Sequence, residues 1–260
     1  MKINETQQLS QVHIDNEIYY QISNVDHMRT FFMSIISNSN HWLFIGSNGG
    51  LSAGRKDPEN ALFPYYTDDK IIESSEITGS KTIIRVLKDE ILHVWEPFSI
   101  QFANLYQLER NLYKNAYGNK ILFEEINHDL NISFQYQWCS SDRYGFVKTS
   151  KLINNGTSEI ELSLLDGIQN IMPYGVGSAL QGQRSNLVDA YKRNELEKES
   201  GIGIFALSAI IVDKAEPSEA LKATVAWSLG MENAKRLLSS SQLKAFRNGK
   251  TISEESDVKA

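Results

Sequence analysis

Residues 131–138, Asn-Ile-Ser-Phe-Gln-Tyr-Gln-Trp, alternate polar and apolar side chains without a break. Side chains along an extended strand point to opposite faces in turn, so this run reads as a strand with one face in a core. Its neighbours read the same way. Residues 81–87 and 90–95 are rich in β-branched side chains, with Lys88-Asp89 between them as the turn. Residues 106–117 meet 120–126 across Gly118-Asn119, 146–153 continues the meander, and 159–166 alternates again after a polar turn at 154–158. Further strands are expected as a pair within 12–22, at 42–45, and at 202–212 and 221–229 on either side of a turn at 215–219. The short apolar run 25–37 fits either a helix or a strand. More than ten strands with short connections predict a mainly β fold, a large antiparallel β-sandwich of the supersandwich kind.

Two segments break the period of two. Residues 179–196 carry Leu180, Leu187, Tyr191 and Leu196 at helical spacing, which predicts an inserted helix with a polar face. Residues 231–246 place Ala234, Leu237, Leu238 and Leu243 similarly and run into Arg247-Asn248-Gly249-Lys250, a basic last turn and a glycine that predict a C-terminal helix. One sandwich domain over 1–246, followed by a polar tail or linker start over 247–260, is the economical organisation. The four tryptophans, Trp42, Trp95, Trp138 and Trp227, fall in strand-like runs and are expected in the core.

The stretch 46–55, Gly-Ser-Asn-Gly-Gly-Leu-Ser-Ala-Gly-Arg, follows a strand and holds four glycines in nine residues, so its backbone can approach another surface closely. Asn48 and Arg55, with Tyr65, Tyr66, Asp68 and Asp69 shortly after, match the equipment of a sugar site, where flat rings meet sugar faces and carboxylates take hydroxyls. A glycine-rich hairpin beside an ordinary aromatic cluster is the competing reading. Arg184, Asn186 and Asp189 on the inserted helix form a second candidate set, for sugar hydroxyls or, more in keeping with an acid-rich helix face, for bridging a neighbouring domain.

A net charge of -6 supplies no extended positive field for nucleic acid, and a neutral substrate fits better. No apolar run of membrane length and no secretory leader pattern occurs, and the single Cys139 suits a reducing compartment, so a cytoplasmic protein is expected with no membrane partner. The five histidines, His13, His27, His41, His93 and His128, lack metal-ligand spacing, and no phosphate loop or dinucleotide fingerprint is present, so neither metal nor cofactor is expected. An epimerase would need a histidine and a carboxylate converging on one sugar, for which the candidates are His93, His128 and Glu125. Glu124 and Glu125 are adjacent on a strand, point to opposite faces and cannot act as a glycosidase pair.

From 135 to 165, two strands around Asn154-Asn155-Gly156-Thr157, together with Asn48-Gly49-Gly50 and Ala53-Gly54-Arg55, make the chain resemble a known group. It is similar to the N-terminal β-sandwich, galactose-mutarotase-like in type, of cellobiose-phosphorylase-like glycoside phosphorylases, over roughly residues 42–229. The resemblance implies a non-catalytic module that scaffolds a downstream (α/α) barrel of the same parent chain, helps form a homodimer and lends loops to a sugar site. The family's catalytic acid and phosphate-binding residues lie on that barrel, and no position here matches them. On this reading the chain is the front of a longer, glycosyl-transferring protein. The alternative is a stand-alone aldose epimerase or sugar-binding protein of the same sandwich type, and a purely structural interaction domain is a third.

Overall fold

The computed structural model describes residues 9–102, 104–209, 211 and 222–259. It is mainly β with antiparallel sheets and short helices, in keeping with the expected sandwich. The chain divides into two compact units, one of residues 1–53 and 66–169, the other of 54–65 and 170–260, where the sequence reading drew one domain through 246.

In the first unit a six-stranded sheet takes the order β1 (Leu9–Ile14), β2 (Glu17–Ser23), β8 (Leu108–Asn115), β9 (Lys120–Asn127), β10 (Ile132–Ser141), β11 (Gly145–Asn154). Between β2 and β8 in the chain come β3 (Phe32–Ser34), β4 (His41–Gly46), β5 (Leu51–Arg55), helix α1 (Asp68–Glu73), β6 (Gly79–Lys88) and β7 (Ile91–Trp95). Strands β3, β4 and β5 form one three-stranded sheet, and β12 (Glu161–Gln169), β6 and β7 another. The ambiguous run 25–37 resolves into a 3₁₀ turn at Val25–His27 and the short strand β3.

Turn chemistry sets the registers. Asp15 and Asn16 join β1 to β2, and Asp89 and Glu90 join β6 to β7, all four with positive φ as a two-residue hairpin requires. The second turn therefore sits one residue later than Lys88-Asp89, because Lys88 still pairs with Ile91. Between β8 and β9, Asn115 Oδ1 accepts from the backbone N–H groups of Asn119 and Lys120, both at 3.0 Å.

The β9 and β10 faces toward β6 and β7 carry Ile121, Phe123, Ile132, Phe134, Tyr136 and Trp138, each at most 2% exposed, and Trp95 of β7 is fully buried. Full burial of one large apolar side chain contributes about 1.5–3 kcal/mol. Trp42 is half-buried, whereas Trp227 is 43% exposed and outside any strand, which corrects the expectation that all four indoles are core.

In the second unit, β13 (Lys192–Glu197) pairs with β14 (Ile202–Leu207), and β15 (Thr224–Ala226) and β16 (Asp257–Lys259) flank them. Helix α2 spans Ser178–Tyr191 and packs Val188 and Leu180 with Met172, Val176 and Leu207. The expected helix over 179–196 thus ends at Tyr191; the next six residues pair with two strands, and that pairing overrides their local helical spacing. Helix α3, Ser240–Arg247, is closed by a capping box between Ser239 and Gln242, so residues 231–239 lie outside it. The stretch 247–260 holds a paired strand, with Asp257 bound to Arg193, where a polar tail was expected. The expected turn at 215–219 falls outside the described residues.

Candidate functional site

The glycine-rich loop connects β4 to β5, and its glycines answer to the protein's own packing. A Cβ on Gly50 would drive into the Ile71 carbonyl oxygen of α1, and one on Gly49, at φ 89°, would come within 2.7 Å of the Tyr136 hydroxyl. Asn48 completes the lock: its Nδ2 donates to the Ile72 carbonyl at 2.9 Å, and its Oδ1 accepts from Gly50 N–H at 3.2 Å. The surface that the loop approaches closely is thus α1 and Tyr136.

Beside the loop lies a small polar cleft that opens to solvent, lined by Asn48, Gly49, Glu76, Lys81, Thr82, Ser99 and Tyr136 among others. Lys81 Nζ bridges Glu76 at 3.1 Å and the buried Glu96 at 2.9 Å. Glu76 also accepts from Ile100 N–H at 2.7 Å. The Tyr136 ring stacks on Phe123 at 4.8 Å and takes the edge of Phe98 at 5.0 Å, which fixes its hydroxyl toward Gly49. Burial pushes the Tyr136 phenol above its ordinary range, so its hydroxyl stays a neutral donor or acceptor.

Two buried charge clusters flank this cleft. Glu125, fully buried on β9, accepts from Trp95 Nε1 at 2.7 Å, Phe98 N–H at 2.8 Å and Arg110 Nε at 2.6 Å. Burial pushes its carboxyl up against the pull of Arg110 and these donors. Phe98 holds the left-handed φ of 66°, unusual for a bulky residue, in presenting that N–H. On β11, Lys148 Nζ meets Asp166 at 2.6 Å and lies 5.8 Å from the Tyr136 ring centre, while Thr82 donates to the same Asp166 oxygen at 2.6 Å. Burial lowers the Lys148 pKa, and Asp166 opposes that shift.

Of the residues singled out from sequence, Asn48 alone lines the cleft. Tyr66, Asp68 and Asp69 lie in the same unit on the exposed start of α1, where Thr67 donates to Asp69 and that bond lowers the Asp69 pKa. Arg55 and Tyr65 fall in the second unit, both exposed, and Tyr65 N–H donates to Gln181 Oε1 at 2.9 Å. Arg184, Asn186 and Asp189 lie on the exposed side of α2, Arg184 at a kink with φ -141° and ψ 37°. The three catalytic candidates share no hydrogen bond. Glu125 is engaged by Trp95, Phe98 and Arg110, His128 Nε2 stands 3.6 Å from Glu109, and His93 sits within β7 opposite Val86.

Lys81, Glu76 and Tyr136 are what sequence reasoning missed. Tyr136 sits in the most regular alternation of the chain and reads there as core, and nothing local marks Lys81 or Glu76 as converging on it. Among the described residues no cluster of three or more metal-ligating side chains occurs, and no helix is long and apolar enough to cross a membrane. Set against models of known families and against curated proteins, the chain matches none.

Proposed function

We propose that this chain is a non-catalytic β-sandwich module of a glycoside-phosphorylase-like carbohydrate-active protein, which scaffolds its parent chain and lines a sugar site. One observation carries the reading. Tyr66, Asp68 and Asp69 stay exposed on a segment whose backbone is held against the glycine-rich loop through Asn48 and Gly50. An exposed ring and carboxylates on a fixed backbone bind hydroxyls at a low ordering cost. The polar cleft beside Asn48 adds neutral hydroxyls and a lysine already engaged by two carboxylates, so it offers no free positive charge to an anionic ligand.

The test is calorimetric titration of the chain with glucose, galactose, cellobiose and laminaribiose, run beside a mutarotation assay on the first two. Binding without turnover, weakened by Tyr66→Ala, is the expected result. Turnover would replace this reading with an aldose epimerase, and silence with all four sugars would leave scaffolding alone.

A further inference from the structure

The cleft beside the glycine-rich loop holds a hydroxyl whose hydrogen-bonding capacity the protein leaves unused. Tyr136 is 2% exposed, and its ring is packed by Phe123 and Phe98. What it contributes to the lining is therefore the phenol oxygen, beside Gly49. That oxygen makes no hydrogen bond to any described residue, whereas Tyr19, Tyr106 and Tyr113 each donate theirs to a protein acceptor. A buried hydroxyl without a partner is a costly group, so the fold leaves it to be completed from the cleft side.

Lys81 brings a second unused group to the same cleft. Its ammonium has three N–H donors, of which Glu76 at 3.1 Å and Glu96 at 2.9 Å take two. The acids outnumber the lysine, so the cleft repels an anion such as phosphate, and the lysine already stands where a cation would balance them. Beyond Thr82, Asp166 is paired with Lys148 at 2.6 Å and adds no net charge. The remaining demand is for a neutral group that both accepts and donates, which a hydroxyl does. The cleft has room for about one water-sized group.

We propose that this cleft binds the exocyclic hydroxymethyl group of a hexose, its oxygen accepting from Lys81 Nζ and sharing a hydrogen bond with the Tyr136 hydroxyl. Resting on the sugar-lining role proposed above, this contact specifies which part of the sugar is recognised. A hydroxymethyl carries its oxygen one carbon beyond the ring, so it enters an opening too narrow for the ring itself. A 6-deoxyhexose lacks that oxygen and leaves both protein groups unsatisfied.

Glucose and 6-deoxyglucose, which differ by that one oxygen, are the probes for an NMR amide titration of the full chain. Glucose should give saturable shifts at Gly49, Lys81 and Ser99 and bind about tenfold more tightly than 6-deoxyglucose, the worth of one hydrogen bond to a charged donor. Tyr136→Phe keeps the stacked ring and removes only the unpartnered hydroxyl, so its melting temperature should be at least that of the parent. In that variant glucose should lose about fivefold in affinity and 6-deoxyglucose should be unaffected. Tyr66→Ala, in contrast, should weaken both sugars by the same factor. Equal affinity of the parent for the two sugars would mean that the cleft admits only solvent; it would overturn this assignment and leave the surface at Tyr66 standing. A lower melting temperature for Tyr136→Phe would assign the hydroxyl to the fold instead, and saturable binding of neither sugar would overturn both readings.

Discussion

Trp95 on the three-stranded sheet donates its indole N–H to Glu125 on the six-stranded sheet, at 2.7 Å, inside a fully buried contact. The same carboxylate takes Arg110 and the Phe98 backbone, so one acid ties together two sheets and a strained loop residue. Glu125→Ala should cost about 3–5 kcal/mol, because it leaves the Arg110 charge buried without its partner. Glu125→Gln, which keeps an acceptor for Trp95, should cost less. Urea denaturation of both variants checks the order.

The same residue predicts a pH dependence. Burial raises the folded-state pKa of Glu125 above its unfolded value, so over the interval between the two the folded state binds more protons. Its contribution is fully present below the unfolded pKa and is lost as pH rises through the folded one. The stability of the parent relative to Glu125→Gln should therefore increase as pH falls through that window. Melting temperatures of the pair across acidic pH measure the sign, and a constant difference would count against it.

Gly50→Ala should destabilise the first unit by about 1–3 kcal/mol, since the new methyl meets a backbone carbonyl that cannot swing aside. Gly145→Ala makes a useful contrast. Its φ of 75° is unfavourable, yet no atom lies within 4 Å of the added Cβ, so only the backbone cost remains, about 1 kcal/mol. Thermal denaturation of the two variants separates steric from conformational loss.

Asp166→Asn should be more damaging than its small change in shape suggests. Lys148, with a side chain 3% exposed, loses the carboxylate that balances it, and such one-sided removal of a buried pair costs about 3–5 kcal/mol. Lys148→Met in the Asp166→Asn background should recover part of that loss. Chemical denaturation of the two variants and their parent tests the coupling.

Tyr66→Ala and Asp69→Ala should leave the melting temperature close to that of the parent, because both side chains are exposed. Sugar affinity should fall in both. A large drop in melting temperature would instead mark this segment as structural.

The strands were legible wherever local pattern and turn chemistry agreed. Residues 131–138 and the β6–β7 hairpin are examples, with the turn displaced by one residue because two consecutive positive φ values fall on Asp89 and Glu90. Legibility failed where a distant partner decided the outcome. Leu196 ends the apolar series of the expected helix, yet it belongs to β13 through pairing with β14. Asp257 looks like tail composition and becomes strand through β13. The cleft was hidden for the same reason: Asn48, the pair Glu76 and Lys81, and Tyr136 come from three separated stretches, and only the loop that bears Asn48 draws notice by its composition.

The adjacent acids of β9 give that strand a built-in check on its alignment. Glu125 fits a cage of indole, guanidinium and backbone donors, and Glu124 fits a layer of phenol and amides on the opposite side. A slip of one residue during assembly would exchange the two and strand each carboxylate among the other's partners, at the same moment as it turned Phe123 and Ile121 outward. Misaligned intermediates would thus be penalised twice, in charge and in apolar exposure, so the nascent sheet has strong reason to discard them before the second layer closes over it.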